Sequence, residues 1–184
     1  MPRSRALALL LAAGAANVAC EAGPPTAPAI QGALAQRGSD LPFKETYGAT
    51  GTIVPSAGCP AGSFLVSLEG GGTATHVGRY TISNSHCLDL ATGALTGGTF
   101  LKTAASGDQL VGTYTGSGTV IVVPAPPDFI GRFAVTGTLL FTGGTGRFAG
   151  ASGAVEMRGT QVTDFSAADW PTDVELDMKG TFSW

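Results

Sequence analysis

The segment from Phe129 to Phe141 restricts the fold more than any other part of the chain, because apolar and polar residues alternate along it without a break. A period of two over thirteen residues is typical of a long β-strand with one face in an apolar interior and the other near water. The face predicted to point inward carries Phe129, Gly131, Phe133, Val135, Gly137, Leu139 and Phe141. We therefore expect a protein organised around long strands.

Directly after this strand comes a glycine-rich segment, GGTGRFAGASG, from Gly143 to Gly153. We expect loop structure there, with Phe148 as an apolar plug. The whole chain has 28 glycines, 43% apolar residues and only 12% charged residues. This composition fits an all-β protein with frequent tight turns and strand kinks better than a helical one.

Turn sequences divide the chain into eight alternating segments, each of which predicts a strand. The segments are 43–54, 63–77, 79–83, 94–104, 109–123, 129–142, 154–165 and 173–184. Three consecutive glycines, Gly70 to Gly72, interrupt the second segment and predict a bulge or a sharp coil. Residues 84–87 are interpreted as a turn or an irregular extension of the third segment.

Eight antiparallel strands with short turns suit either a closed up-and-down barrel or a sandwich. Strands of twelve to fifteen residues with interior glycines favour the barrel, because strongly coiled strands need positions without a Cβ. The sequence therefore predicts an all-β fold, an eight-stranded antiparallel up-and-down β-barrel, as a single domain over residues 43–184.

The first twenty residues predict export as a signal peptide, 1–20. Met1 to Arg5 is a short basic region, and Ala6 to Ala16 is an apolar run too short to span a bilayer. Cys20 follows small residues and resembles the cysteine of a bacterial lipoprotein box, which is lipidated and becomes the mature N-terminus. The alternative is ordinary signal-peptidase cleavage at a nearby alanine without a lipid. Either route places the protein in the cell envelope or outside it, with membrane contact only through the anchor.

Residues 21–42 are rich in alanine, proline and glycine and show no sustained periodicity. Such a composition predicts a flexible linker between the export signal and the domain.

Cys59 and Cys87 remain as an even pair in an oxidising compartment once Cys20 is set aside. Both lie beside turn sequences, so a disulfide is favoured over two separate buried thiols. A bridge closing a loop of about 28 residues would add on the order of 3 kcal/mol of stability. His86, interpreted as a loop residue, is the only histidine near either cysteine, so we expect no metal site.

Charge and loop chemistry limit the expected partners. The net charge is −3, with no cluster of lysine or arginine after the leader, which argues against nucleic-acid binding. Gly143 to Gly146 is not a phosphate loop, since neither a helix nor a lysine at P-loop spacing follows. We expect no cofactor. A small hydrophobic ligand is the one partner that the sequence favours, and the oligomeric state is not predicted.

The glycine segment 143–153, followed by an alternating strand and the closing residues 179–182, resembles the allene oxide cyclase barrel group. Plant allene oxide cyclases and the related dirigent proteins carry a similar G-T-G-x-F-x-x-A-x-G turn before a late strand. Residues 73–80 are also similar to a segment of secreted bacterial relatives of that barrel. The resemblance covers 43–184 and implies an eight-stranded barrel with a central apolar cavity. It carries no pocket residue over to this chain and does not fix function.

Three residues are candidates for acid–base chemistry: Glu45, His76 and Tyr80. Glu45 shares a face with Phe43 and Tyr47, so an inward orientation would place a carboxylate in an apolar cavity. An exposed Glu45 near the domain edge is the favoured alternative. His76, expected in mid-strand, suits an acid–base group at a barrel mouth. The more ordinary interpretation is a histidine that bonds neighbouring strands.

Five residues are candidates to line a ligand pocket: Tyr47, Tyr114, Phe133, Met157 and Met178. Such side chains more often form a core or a barrel mouth. The inward faces that can be assigned best offer only Phe, Val, Leu, Met and Gly, which counts against catalysis because acid–base work needs titratable groups.

Asp173, Glu175 and Asp177 lie on one face of the last segment. Side chains two residues apart on a strand are separated by about 7 Å, too far to share one calcium ion without other oxygen donors. Lys179 continues the row, which is typical of a solvated face.

The leading hypothesis is therefore an exported, lipid-anchored, non-catalytic barrel that binds a small apolar ligand or serves as a structural or interaction module. The alternative is a cyclase or isomerase, similar to allene oxide cyclase, that confines a flexible hydrophobic substrate. A surface sandwich adhesin is expected only if the barrel is wrong. A filled lumen favours a structural module, whereas an open pocket of at least about 300 Å³ with an ionisable group favours binding or catalysis.

Overall fold

The computed structural model describes residues 39–184, which form a closed barrel of eight antiparallel strands and one short 3-10 turn. Strand order around the barrel follows chain order, and the first strand closes on the last. The elements are β1 (Leu41–Pro55), β2 (Ser63–Ala74), β3 (Gly78–Asp89), β4 (Ala94–Ala104), β5 (Gln109–Val122), β6 (Ile130–Gly144), η1 (Gly146–Phe148), β7 (Ser152–Asp164) and β8 (Pro171–Ser183). The predicted all-β up-and-down barrel is confirmed.

The predicted signal peptide 1–20, the lipidation site Cys20 and most of the predicted linker lie outside the described residues. β1 begins at Leu41, inside the segment expected as linker and just before the expected domain start at Phe43. Among residues 39–184, no helix has the length and apolar character needed to cross a membrane.

β3 differs most from its expected bounds. It runs from Gly78 to Asp89, so residues 84–87, expected as a turn or irregular extension, are strand residues that pair with β2. Against β4 the register shifts between Ser85 and Cys87, so the extension is irregular on that side. β2 ends at Ala74 rather than Val77, because the chain turns through residues 75–77.

The glycine triplet of β2 does not form the bulge that the sequence allowed. β2 pairs in unbroken register with β1 and β3 across it. A Cβ at Gly70 would lie 2.1 Å from the carbonyl oxygen of Gly48, and one at Gly72 would lie 2.1 Å from that of Thr46. The coiled strand passes too close to its neighbour for a side chain, so it needs glycine there.

Most strands alternate between lumen and solvent, whereas the last four residues of β5 are all exposed. On β6, Val135, Leu139 and Phe141 are buried and Phe133 is partly buried, which confirms the predicted face from Gly131 to Phe141. Phe129, expected on the same face, is 42% exposed, because it precedes the strand in a positive-φ conformation. On β8, the row of Asp173, Glu175, Asp177 and Lys179 is exposed on the outer wall, as predicted.

The two ends of the barrel differ. The lower end holds the start of β1, the end of β8 and the β2–β3, β4–β5 and β6–β7 connections, and the upper end holds the other four. At the lower end, η1 places the fully buried ring of Phe148 against Phe182, with ring centroids 6.1 Å apart. Phe43 and Phe141 extend this aromatic cluster, so Phe148 plugs the lower end as predicted.

A disulfide joins Cys59, in the β1–β2 connection, to Cys87 in β3, with the two Cα atoms 5.5 Å apart. It fastens a loop of the upper end to the barrel wall. The predicted pairing is confirmed.

Candidate functional site

The lumen is not purely apolar, in contrast to the expectation from the inward faces that could be assigned best. Two groups of polar side chains point into it. The lower polar cluster consists of Glu45, Tyr80 and Lys102, and the upper polar cluster consists of Tyr47, Asn84, His86 and Tyr114.

The lower polar cluster is built on three strands. Glu45 of β1 accepts a hydrogen bond from the Tyr80 hydroxyl of β3 on Oε1 and one from the Lys102 ammonium of β4 on Oε2. The side chains of Glu45 and Lys102 are fully buried in this ion pair. The favoured expectation of an exposed Glu45 is therefore wrong, because odd-numbered residues of β1 face the lumen from Phe43 to Ala49.

Aromatic rings enclose the Lys102 ammonium. Its Nζ lies 5.0 to 5.8 Å from the ring centroids of Tyr80, Phe100, Phe141 and Phe43, within the range of cation–π attraction. Burial lowers the pKa of Lys102, and the Glu45 carboxylate opposes that shift. Burial and the same carboxylate raise the pKa of Tyr80, which keeps its proton as a donor.

The upper polar cluster lies nearer the middle of the barrel. His86 Nδ1 and the Tyr114 hydroxyl oxygen are 2.8 Å apart, in hydrogen-bond contact. Asn84 Nδ2 donates to the Tyr47 hydroxyl over 3.1 Å. The expectation that His86 is a loop residue is wrong, because β3 continues through it and places its ring inside, with 5% of the residue exposed.

All members of the upper polar cluster are uncharged at neutral pH. Burial lowers the pKa of His86 to about 4, so the imidazole is neutral. Burial raises the pKa of both Tyr47 and Tyr114 above the ordinary tyrosine range. Among the buried side chains that the structure describes, two polar atoms have no hydrogen-bond partner, Asn84 Oδ1 and His86 Nε2.

Two adjacent cavities occupy the middle and the upper end of the lumen, and the partnerless atoms belong to residues that line the inner one. The inner cavity, of about 30 Å³, is lined by residues that include Tyr47, Asn84, His86, Tyr114, Met157 and Met178. The mouth cavity, of about 270 Å³, is lined at the upper end by residues that include Ile53, Leu88, Leu90, Val120, Phe133 and Phe165. Leu95 and Gln161 line both cavities. The lumen is thus filled around its middle and open at its upper end.

A seam of neutral polar side chains crosses the mouth. Gln161 Nε2 donates to Thr163 Oγ1 over 3.1 Å, and the Thr163 and Thr172 hydroxyl oxygens are 3.0 Å apart. Within the described part of the chain, no aspartate, glutamate, lysine or arginine lines either cavity. The site therefore offers apolar walls and neutral hydrogen-bonding groups.

The five residues expected to line a pocket do come together. Tyr47, Tyr114, Met157 and Met178 line the inner cavity, and Phe133 lines the mouth cavity. The three acid–base candidates, Glu45, His76 and Tyr80, do not come together at these cavities. Glu45 and Tyr80 belong to the lower polar cluster, which lines neither cavity, and Tyr80 instead lines a trough in the barrel wall.

His76 lies outside the lumen, in the turn between β2 and β3 at the lower end, where it is exposed. Its backbone has a positive φ of 68°, a conformation that ends a strand. Its ring donates from Nε2 to the Pro42 carbonyl oxygen over 3.2 Å and packs 5.0 Å from the Trp184 ring. The expected mid-strand position is wrong, and this histidine fits the more ordinary structural interpretation.

The sequence pattern does not single out six luminal polar residues as site residues: Asn84, His86, Lys102, Gln161, Thr163 and Thr172. Lys102 shares a period-two face with Phe100 and Ala104, which was an available signal. Asn84 and His86 continue the face of Tyr80 and Ile82.

The largest concavity of the described chain, about 850 Å³, lies on the outer wall across β7, β8, β1, β2 and β3. It is a shallow, open trough above Gly48, Gly71 and Gly159. Neither of the two partnerless polar atoms lines it. The trough is open to solvent above glycines that carry no side chain, so the upper mouth is the better candidate site.

Within residues 39–184, no group of three or more His, Cys, Asp or Glu side chains is arranged to hold a metal ion. No family model matches the chain, and comparison with curated proteins and with solved structures finds no match. The resemblance to the allene oxide cyclase barrel group therefore stays a prediction. Fold and site together define an eight-stranded barrel with a neutral, mainly apolar pocket at one end.

Proposed function

We propose that this protein is an exported, lipid-anchored, non-catalytic barrel that binds a small apolar ligand at its upper mouth. The observation that carries the proposal is the mouth cavity of about 270 Å³. Its volume is just below the range of ordinary small-molecule sites, about 300 to 1,000 Å³, and such sites often lie in the mouths of β-barrels.

Exposed apolar side chains at the rim support this proposal. Leu90 is 42% exposed and Val120 is 52% exposed, and both line the mouth cavity. Large apolar residues left in water beside a concave surface mark a place where an apolar partner is desolvated. Binding of a ligand there would cover these side chains.

The disulfide also supports a pre-formed site. Cys59 and Cys87 fix a connection of the upper end to β3, so that end loses less conformational freedom when a ligand binds. Pre-organisation of this kind raises affinity by lowering the entropy cost of association.

Export and anchoring rest on the sequence of residues 1–20 and on Cys20. Intact mass of the native N-terminus tests this part. A lipid-modified Cys20 as the first residue supports it, whereas an unmodified residue after Cys20 at the N-terminus contradicts the anchor.

The binding proposal is tested by a matched pair of leucine variants. Leu90 lines the mouth cavity and Leu140 lies on the outer wall, and they are 42% and 47% exposed. A carboxylate at Leu90→Asp would lower affinity for a fluorescent apolar probe about fivefold, since about 1 kcal/mol of apolar contact is lost. Leu140→Asp leaves affinity unchanged. Equal effects of the two variants, or no binding by the wild type, would contradict the proposal.

Native mass spectrometry of the protein purified from its own cells identifies the ligand. A co-purifying uncharged organic molecule that is lost in Leu90→Asp supports binding at the mouth.

A second candidate function is a cyclase or isomerase that acts on a flexible hydrophobic substrate. The observation that favours it is the neutral His86, which lines the inner cavity in contact with Tyr114 and has a ring nitrogen, Nε2, that could take part in proton transfer as a donor. Confinement in the barrel would supply much of the catalysis. NMR of the ligand after incubation with the protein distinguishes the two functions, because an isomerase converts it to a product of equal mass.

A further inference from the structure

Two buried polar atoms of β3 lack a partner within the described structure, Asn84 Oδ1 and His86 Nε2. Leaving such an atom without a hydrogen bond costs about 1–3 kcal/mol, and most buried polar groups in proteins are satisfied. These two therefore mark a place where a hydrogen-bonding group from outside the chain is favoured.

The space beside these atoms is small. Asn84 and His86 are two residues apart on the same strand face and both line the inner cavity of about 30 Å³. That volume is about the share of one water molecule in the liquid. It accepts a single oxygen-sized group rather than a whole ligand.

The larger mouth cavity provides room for the rest of a ligand. It adjoins the inner cavity at Leu95 and Gln161, which line both. A molecule with its apolar body in the mouth can therefore direct one polar end towards His86.

The charge of that polar end is restricted. Among the described residues, the groups that line the two cavities include no acidic or strongly basic side chain, and burial keeps the His86 imidazole neutral. A carboxylate or an ammonium group would lose its hydration without gaining a countercharge, which is strongly unfavourable.

We propose that the upper polar cluster is a head-group subsite for a neutral apolar alcohol, whose hydroxyl binds to Asn84 Oδ1 and His86 Nε2. This inference rests on the proposed binding function and specifies its ligand class. The hydroxyl donates to the amide oxygen and accepts from the imidazole, so it satisfies both atoms. A hydrocarbon satisfies neither.

Tyr114 positions the imidazole for this role. Its hydroxyl is in contact with His86 Nδ1 and keeps its proton, because burial raises the pKa of Tyr114. When Tyr114 donates to Nδ1, the proton of the neutral imidazole lies on Nε2, which then acts as a donor. Tyr114 is thus a positioning residue.

The test compares three probes with one ring and different polar ends: toluene, benzyl alcohol and benzoate. Their dissociation constants are measured at neutral pH by NMR titration of the protein. We expect benzyl alcohol to bind about five- to tenfold more tightly than toluene, which corresponds to one net hydrogen bond. Benzoate binds most weakly.

The chain offers a matched histidine control. His86→Phe keeps a ring of similar size and removes Nε2, so it abolishes the preference for benzyl alcohol over toluene. His76→Phe makes the same chemical change at the exposed lower end and leaves the preference for alcohol intact. If His86→Phe does not fold, side-chain nitrogen shifts of wild-type His86 decide, because benzyl alcohol should shift Nε2 and toluene should not.

The outcomes separate this inference from the binding function. Equal affinity for toluene and benzyl alcohol, tightest binding of benzoate, or a His86 Nε2 shift unaffected by alcohol overturns the subsite and leaves apolar binding standing. Failure of all three probes to bind overturns both. A preference for alcohol that His86→Phe removes and His76→Phe keeps supports the subsite.

Discussion

The two polar clusters lie in one lumen yet differ in completeness. In the lower polar cluster, Glu45, Tyr80 and Lys102 satisfy one another inside a shell of aromatic rings. In the upper polar cluster, Asn84 and His86 each keep one partnerless atom beside a cavity. Burial of a polar group therefore does not identify a site by itself. A buried polar group that has an unsatisfied atom beside a cavity does identify a site.

The difference also has an energetic side. A buried ion pair is compensated only while both partners are present, so removal of one leaves a charge without its countercharge. An unsatisfied neutral group already carries its desolvation cost, so removal of the whole group loses little.

The largest effect is expected in the lower polar cluster. Lys102→Met should lower the free energy of unfolding by about 3–5 kcal/mol, because it leaves the Glu45 carboxylate buried without its partner. Urea denaturation measures the loss. The double variant Glu45→Gln, Lys102→Met should recover most of it. A double variant as unstable as Lys102→Met alone would show that packing rather than charge pairing dominates.

The disulfide is expected to stabilise the upper end by a smaller amount. Replacing Cys59 and Cys87 by serine removes a link across 28 positions and should cost about 3 kcal/mol. Hydrogen exchange should rise more in the β1–β2 connection than around Lys102, where only the loss of global stability acts. Uniform loss of protection at both ends would contradict a local role of the bridge.

Acid should act on the upper polar cluster through His86. Its pKa is lowered by burial from 6.5 to about 4 in the folded protein, so the unfolded chain binds the proton more readily. Stability is then retained above the unfolded pKa and falls as the pH drops towards 4. Between pH 7 and pH 5 this histidine should contribute a loss of about 2 kcal/mol.

Urea denaturation of wild type and His86→Phe at several pH values isolates this contribution. The difference in unfolding free energy between the two proteins should change over that pH window. A difference that stays constant would mean that the imidazole titrates alike in both states.

The smallest effect is expected at Asn84. Asn84→Leu removes the partnerless Oδ1 along with the amide that donates to Tyr47. We expect a change in unfolding free energy within about 1 kcal/mol, of either sign. Glu45→Leu leaves the Lys102 ammonium buried without its carboxylate partner, so it should lower the free energy of unfolding several times more. Similar losses from the two leucine variants in thermal unfolding would remove the distinction between the clusters.

The fold could be predicted because alternation is a local property. The inward face of β6, with Val135, Leu139 and Phe141, follows directly from the period of two. Closure followed from long glycine-containing strands, whose glycines at Gly70 and Gly72 prove to be places of close backbone approach. Patterns of this kind need no knowledge of distant residues.

The candidate site was less predictable because strand register depends on distant pairing. On β4 the register against β5 shifts between Leu95 and Gly98, so the buried face changes from odd to even positions. Only after that change does Lys102 point inward with Phe100. The sequence shows the glycines but not the position of the shift.

The two histidines illustrate the same limit. His76 was expected in a strand and His86 in a loop, and the structure reverses both assignments because the β2–β3 turn occupies residues 75–77. A displacement of the turn by a few residues thus moves a titratable ring from solvent to lumen. The partnerless atoms and the cavities depend on all eight strands together, so no local pattern contains them.

Phe148 and its aromatic neighbours close the lower end of the barrel, so the described barrel is a blind-ended pocket and not a through channel. A ligand bound in this barrel therefore enters and leaves by the same, upper opening. One ligand must dissociate before another can bind, so the rate constant of ligand exchange should be independent of the concentration of the competing ligand.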